Sequence, residues 1–151
     1  MEIRELDIAD ATLTEQLFAL RQTVHAAECP DMPPPLWQDF LSRLREQSPE
    51  TRIERLVVPA DGRVVASAVI RLPEIDNRHL LQSYVEVAPA YRRRGVGRAV
   101  FDRLVQRARV EERQTMLAGA TGPVPGGPPR SVAGRQFLTA MGFSPALDLK
   151  L

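Results

Sequence analysis

This chain of 151 residues is almost without lysine: its 20 basic residues are all arginine except Lys150. It has one cysteine, Cys29, which excludes an intramolecular disulfide and fits a reducing compartment. Its two histidines, His25 and His79, form no zinc spacing with other ligands and no nucleophile triad. Aromatic residues make up 5% of the chain, and none builds a stacking platform for bases. A net charge of +1 leaves no global field to draw in a polyanion. No apolar run approaches the length of a membrane span. The N-terminus is charged from Glu2 onward and lacks an apolar signal core. These absences lead to the expectation of a cytoplasmic protein with neither nucleic acid nor membrane as partner. The length suits one domain with a core of its own.

What is present is a regular succession of elements. Residues 2–6 alternate as a short strand. Asp10 or Thr12 suits the cap of a helix that aligns Leu13, Leu17, Leu20 and Val24. The run Pro33-Pro34-Pro35 breaks it, because consecutive prolines cannot sit inside a helix. Trp37, Phe40, Leu41 and Leu44 then stripe a second helix. Residues 53–58 and 63–72 read as strands around Asp61-Gly62, a hairpin signal. Residues 80–87 form the next strand, and 97–113 a long helix with Val100, Phe101, Leu104, Val105 and Ala108 on one face. A short strand at 115–120, a Gly- and Pro-rich loop at 121–130 and a helix at 132–141 follow, with Gly142 at its C′ position. Residues 143–151 alternate as a further strand, still under way at Leu151.

The junction of the strand 80–87 with the long helix carries the chemistry. It reads Tyr91-Arg92-Arg93-Arg94-Gly95-Val96-Gly97-Arg98. Glycine lets the backbone approach a ligand closely and adopt angles closed to other residues. The first amides of a helix lack partners and sit at the positive end of its dipole. Such a turn suits phosphate or pyrophosphate. It is not a P-loop, since no Gly-Lys-Ser/Thr occurs. It is not a dinucleotide turn, since Val100 occupies the third glycine position.

The remaining pattern, Arg92-x-x-Gly95-x-Gly97, resembles the pyrophosphate loop of the GNAT superfamily of acyl-CoA-dependent N-acyltransferases. Val85-x-Val87-x-Pro89 and the Tyr91-Arg92 pair are similar to that family as well. The resemblance implies an α/β (α+β) fold with a mixed, mostly antiparallel central sheet flanked by helices. Its order would be β-α-α-β-β-β-α-β-α-β over residues 1–151, as a single domain whose last strand is short or missing. It implies acetyl-CoA as co-substrate. Backbone groups of Val85 and Val87 would hold the pantetheine arm and thioester, with an amide near Val87 on the thioester oxygen. The loop opened by Arg92, with the amides of Arg93, Arg94, Gly95, Val96, Gly97 and Arg98, would hold the pyrophosphate. A side chain at Gly95 or Gly97 would occupy the pyrophosphate's space. Asp31-Met32-Pro33 and Asp76-Asn77 further resemble the N-terminal halves of tandem GNAT proteins of the mycothiol-synthase kind.

Catalytic groups are harder to place. Where many family members carry a proton-donating tyrosine, this chain has Leu138; the position of a frequent asparagine falls near Val132, next to Ser131, a polar substitute or a helix cap. Base candidates are Glu86, opposite in facing to Val85 and Val87 and turned to an acceptor cleft or to solvent, and His79, whose intrinsic pKa suits a base. Glu74 and Asp76 are candidates for a cationic acceptor or a solvated loop, and His25 is structural or rim-lining. Trp37 and Phe40 belong to a core stripe or cap an acceptor cleft. Two functions follow: an acetyl-CoA-dependent N-acetyltransferase in which a small-molecule amine attacks directly within a ternary complex, or a weakly active or inactive half that binds acyl-CoA or supports a second GNAT domain. Pairing with such a domain or with another copy would cover an unfinished sheet edge.

Overall fold

A computed structural model describes residues 1–146. The elements in chain order are β1 (Arg4–Glu5), α1 (Ala11–Glu28), α2 (Trp37–Leu44), β2 (Thr51–Ala60), β3 (Arg63–Pro73), β4 (Leu80–Val87), a single 3-10 turn (Pro89–Tyr91), α3 (Val96–Val110), β5 (Thr115–Ala118) and α4 (Ala133–Ala140). The strands form one sheet in the order β1-β2-β3-β4-β5. Every neighbouring pair is antiparallel except β4 and β5, which run parallel. No helix among the described residues is long and apolar enough to cross a membrane.

Local chemistry sets the boundaries. The Asp10 carboxylate accepts the Leu13 amide at 3.1 Å and caps α1. Asp61 and Gly62 both take positive φ, 52° and 72°, which makes the tight turn joining β2 to β3. A register shift at Val58/Pro59 precedes it, where proline has no amide to give the ladder. The long helix stops at Val110, short of the expected 113. Glu112 turns left-handed (φ 54°) and the Arg113 amide bonds back to the Ala108 carbonyl at 2.8 Å, closing the helix end. β5 ends at Ala118 rather than 120. The expected strand at 143–151 has no strand pairing in residues 143–146, and the rest lies outside the described residues.

The sheet is covered on both faces, which is why Leu56, Val57 and Val58 are all buried despite alternating sides. On one face Leu17, Leu20 and Val24 of α1 pack with Leu44 of α2 against Val57 and Val64. On the other, Val96, Val100, Leu104 and Ala108 of α3 pack against Leu56, Val58, Ala66, Ala68, Ile70 and Leu81. Thus β4 stands between two helical layers, and consecutive side chains along it serve opposite sides.

Candidate functional site

The pairing of β4 with β5 runs from Leu80↔Thr115 to Ser83↔Ala118. A long contact from the Gly119 amide to the Ser83 carbonyl, 3.4 Å, comes just beyond it. Among the described residues no strand lies beside the β4 edge from Tyr84 to Val87 on that side, although β3 still pairs with it on the other. Val85 and Val87 line a cleft of about 490 Å³ at this parting. The floor of the cleft is the turn into α3. Arg93 and Gly95 take left-handed φ, 61° and 84°, and Gly95 is the N-cap residue with no side-chain cap. The first helical bond is Ala99 amide to Gly95 carbonyl at 3.1 Å. The amides of Val96, Gly97 and Arg98 therefore have no partner within the helix. α4 makes the facing wall with Ala133, Gly134, Phe137 and Ala140, and Met141 follows at its C-cap.

Gly97 departs from the expectation that either side chain would fill ligand space. A Cβ on Gly97 would stand 2.9 Å from the Phe137 ring, so this glycine seats α4 against α3. A Cβ on Gly95 would meet nothing within 4 Å. Gly95 is required by its backbone conformation.

Of the predicted cofactor set, the structure brings Val85, Val87, Arg92, Arg93, Gly95, Gly97 and Arg98 to this cleft. Arg94 lies over the Tyr91 ring, 5.4 Å from its centre, and the Val96 side chain is buried in the core beneath α3. The Arg92 side chain is already engaged: Nε donates to the Val87 carbonyl at 3.0 Å and a terminal nitrogen to Glu28 at 2.8 Å. It braces the end of β4 against α1. A second brace crosses the outside, where the Arg130 guanidinium forks onto Asp31 at 3.1 and 2.8 Å and joins the two proline-rich loops.

Glu86 faces the other way and is not in solvent. It is 8% exposed, on the side of the sheet covered by α1, and bonded to Arg21. Its second carboxylate oxygen is buried without a partner. Burial pushes its carboxyl pKa above the ordinary value, and the neighbouring Arg21 charge opposes that rise. Glu86 lines a second cleft of about 210 Å³ with Arg21, Arg55, Arg71, Tyr84 and Phe40. Phe40 thus reaches a cleft, while Trp37 packs edge-on to Phe18 at 5.2 Å in an aromatic cluster beside it.

The other candidates lie elsewhere. His79 is exposed at the start of β4, roughly 25 Å of strand from Val87; the structure does not bring it to either cleft. His25 Nε2 lies 3.1 Å from the Met32 carbonyl and holds the loop after α1. Glu74 pairs with Arg52 at 3.0 Å, and Asp76 is exposed. Ser131 accepts the Ala133 amide at 3.1 Å, at the start of α4. Leu138 is half-buried and does not line the cofactor cleft.

Sequence reasoning passed over Arg21, Glu28 and Phe137. The first two carried a signal. They lie in register with Leu17 and Val24 on the buried stripe of α1, and a charge on such a stripe calls for a buried partner. Phe137 carried none, because its contact with Gly97 depends on how α4 docks.

The profile of the acetyltransferase (GNAT) family matches residues 15–121, and the chain belongs to that family. No curated protein matches it. Among solved structures it is similar to a tandem GNAT protein from the clavulanic acid biosynthesis pathway, with 30% identity and a TM-score of 0.81. That match covers 93% of this chain and 43% of the tandem protein, so the chain spans less than half of that relative. A GCN5-related N-acetyltransferase from Kribbella flavida shares 27% identity over 76% of this chain and 68% of its own, with a TM-score of 0.56. A predicted acetyltransferase from Clostridium acetobutylicum, solved with acetyl-CoA, shares the fold: TM-score 0.68 at 17% identity, covering 99% and 95% of the two chains.

Proposed function

We propose that the chain is one acetyltransferase domain that binds acetyl-CoA and transfers its acetyl group to the amine of a small molecule in the cytoplasm. The observation that carries this reading is the parting of β4 from β5 beside the uncapped start of α3. At the open edge the backbone groups of Val85 and the Val87 amide face away from β3 and suit an extended amide-bearing arm, in the manner of an added strand, while the Val87 carbonyl is held by Arg92. The amides of Val96, Gly97 and Arg98 suit the pyrophosphate. Space above Gly95 and the left-handed turn at Arg93 and Gly95 fit a diphosphate drawn close to the backbone. Acetyl-CoA supplies the activated acyl group. The residues of this chain would align it and manage one proton.

At the open edge of β4 the two faces of the strand meet, so a thioester lying along Val85 and Val87 is reached from the side of Glu86. In the proposed reaction a C–N bond forms as the C–S bond breaks. The amine's proton passes to the Glu86 carboxylate, whose raised pKa improves it as a base. The thiolate leaves and takes a proton from solvent, since no donor stands at Leu138.

A second reading, a weakly active or inactive half that binds acyl-CoA or supports another GNAT domain, is favoured by the 30% identity to a tandem protein of which this chain matches 43%. Calorimetric titration with acetyl-CoA, CoA and dephospho-CoA tests both. Micromolar binding is expected; a folded sample that binds none at millimolar acetyl-CoA would overturn the transferase reading and leave a half that only supports a second domain.

A further inference from the structure

We propose that the second cleft takes a small amine that also carries an anionic group, a carboxylate or phosphate, held by Arg55 and Arg71 while its amine lies against Glu86. This deepens the transferase reading and rests on it for the cleft's role as acceptor site.

Strand register assembles the cleft. Arg55 pairs with Val69, Val69 with Tyr84, and Ser67 with Glu86. Alternation then sets Arg55, Arg71, Tyr84 and Glu86 on the same face of the sheet. Arg43 and Arg21 of the covering helices complete the lining. Four arginines (21, 43, 55 and 71) against one glutamate leave a formal excess of three positive charges.

These charges are not all matched internally. Arg21 is bonded to Glu86 and lies 5.6 Å from the Tyr84 ring centre. Arg55 donates to the Arg43 carbonyl at 2.8 Å, which satisfies a donor but balances no charge. Among the described residues no carboxylate lies within ion-pair distance of Arg55 or Arg71. Elsewhere most half-buried arginines are paired, Arg92 with Glu28, Arg107 with Glu54 and Glu111, and Arg130 with Asp31, while Arg103 on α3 has no carboxylate within ion-pair distance among the described residues. Arg55 and Arg71 are half-buried, and the Arg55 pKa is lowered by its own desolvation and then by the Arg71 charge, with Glu46 acting weakly against this. Two like charges turned into one cleft favour an anion between them.

The orphaned Glu86 oxygen adds the complementary half, an acceptor with no donor. The α-carbons of Arg55 and Glu86 are about 12 Å apart by strand spacing and rise. Their side chains reduce that gap to the length of a compact molecule. The volume of 210 Å³ equals that of about seven waters, which suits an amino-acid-sized ligand. A polyamine would meet the excess positive charge.

Binding of succinate, inorganic phosphate and spermidine, followed by calorimetry and by emission of the single Trp37, with CoA at saturation, tests this. Trp37 lies 5.7 Å from Phe40, which lines the cleft. One or both anions should bind, the stronger naming the preferred group, and spermidine should not. Arg55→Gln and Arg71→Gln should weaken anion binding about tenfold or more with acetyl-CoA affinity unchanged. The proposal falls if neither anion binds the wild type, if spermidine binds more tightly, or if both folded variants bind anion as well as wild type. Should a variant fail to melt cooperatively, the wild-type selectivity for anion over cation decides. Loss of acetyl-CoA binding with anion binding intact would remove the transferase reading alone and leave the cleft an anion site.

Discussion

The two sides of β4 make ligand space by opposite means. The proposed cofactor side uses backbone: an open strand edge, three helix-start amides and a glycine whose conformation few residues tolerate. The α1 side uses charged side chains from α1, α2, β2, β3 and β4. A backbone site is written in consecutive residues and survives changes of side chain. A side-chain site is written across the whole fold and can change its ligand by single substitutions. A family can thus keep one donor and vary the acceptor.

The sharpest way to separate the sides is Glu86→Gln. It should lower the acetyl-transfer rate by about 10²- to 10⁴-fold, the range for a general base, and leave acetyl-CoA affinity unchanged by calorimetry. In the wild type the acid limb of the rate profile should lie above the ordinary carboxylate range, because burial raises the Glu86 pKa. The rate should rise with pH through that limb as the carboxylate form is populated. An equal loss of acetyl-CoA affinity in the variant would mean that the two sides are one site.

Next in size, Gly97→Val should weaken acetyl-CoA by about 100-fold, since the new side chain drives Phe137 and the α4 wall out of place, overpacking of a kind that typically costs 1–3 kcal/mol. Succinate binding in the second cleft should persist. Smallest in its effect on the fold is Gly95→Ala, where no protein neighbour is struck but the left-handed angle is strained and the methyl enters the space proposed for the diphosphate. It should cost about 1 kcal/mol of stability, a fall in Tm of about 2–4 °C, read by thermal melting.

The same division explains what could be read before the fold was known. The element order as far as α4, the Asp61-Gly62 turn, the Asp10 cap and the turn into α3 at Gly95 are local, and local rules found them. The facing of Glu86 followed from alternation, but its burial and its Arg21 partner required the docking of α1, 65 residues away in sequence. The convergence of Arg55 and Arg71 required the β2–β3–β4 register. His79 attracted notice for its chemistry, and its position at the far end of β4 shows that intrinsic pKa without geometry is a weak guide. The helix ends were misjudged where a positive φ, as at Glu112, stops a pattern that still looks apolar.

The parallel pair at the parting has one more consequence, for assembly of the chain. β3 meets β2 and β4 through short returns, whereas β5 comes back to β4 only after the 3-10 turn and all of α3. Local pairings close small loops, and a parallel crossover must close a large one. The two walls of the cofactor cleft therefore belong to different ranges of contact order: one is built into a meander of near neighbours, the other arrives from a distance. The proposed cofactor site is thus a seam between a local meander and a strand that arrives from a distance.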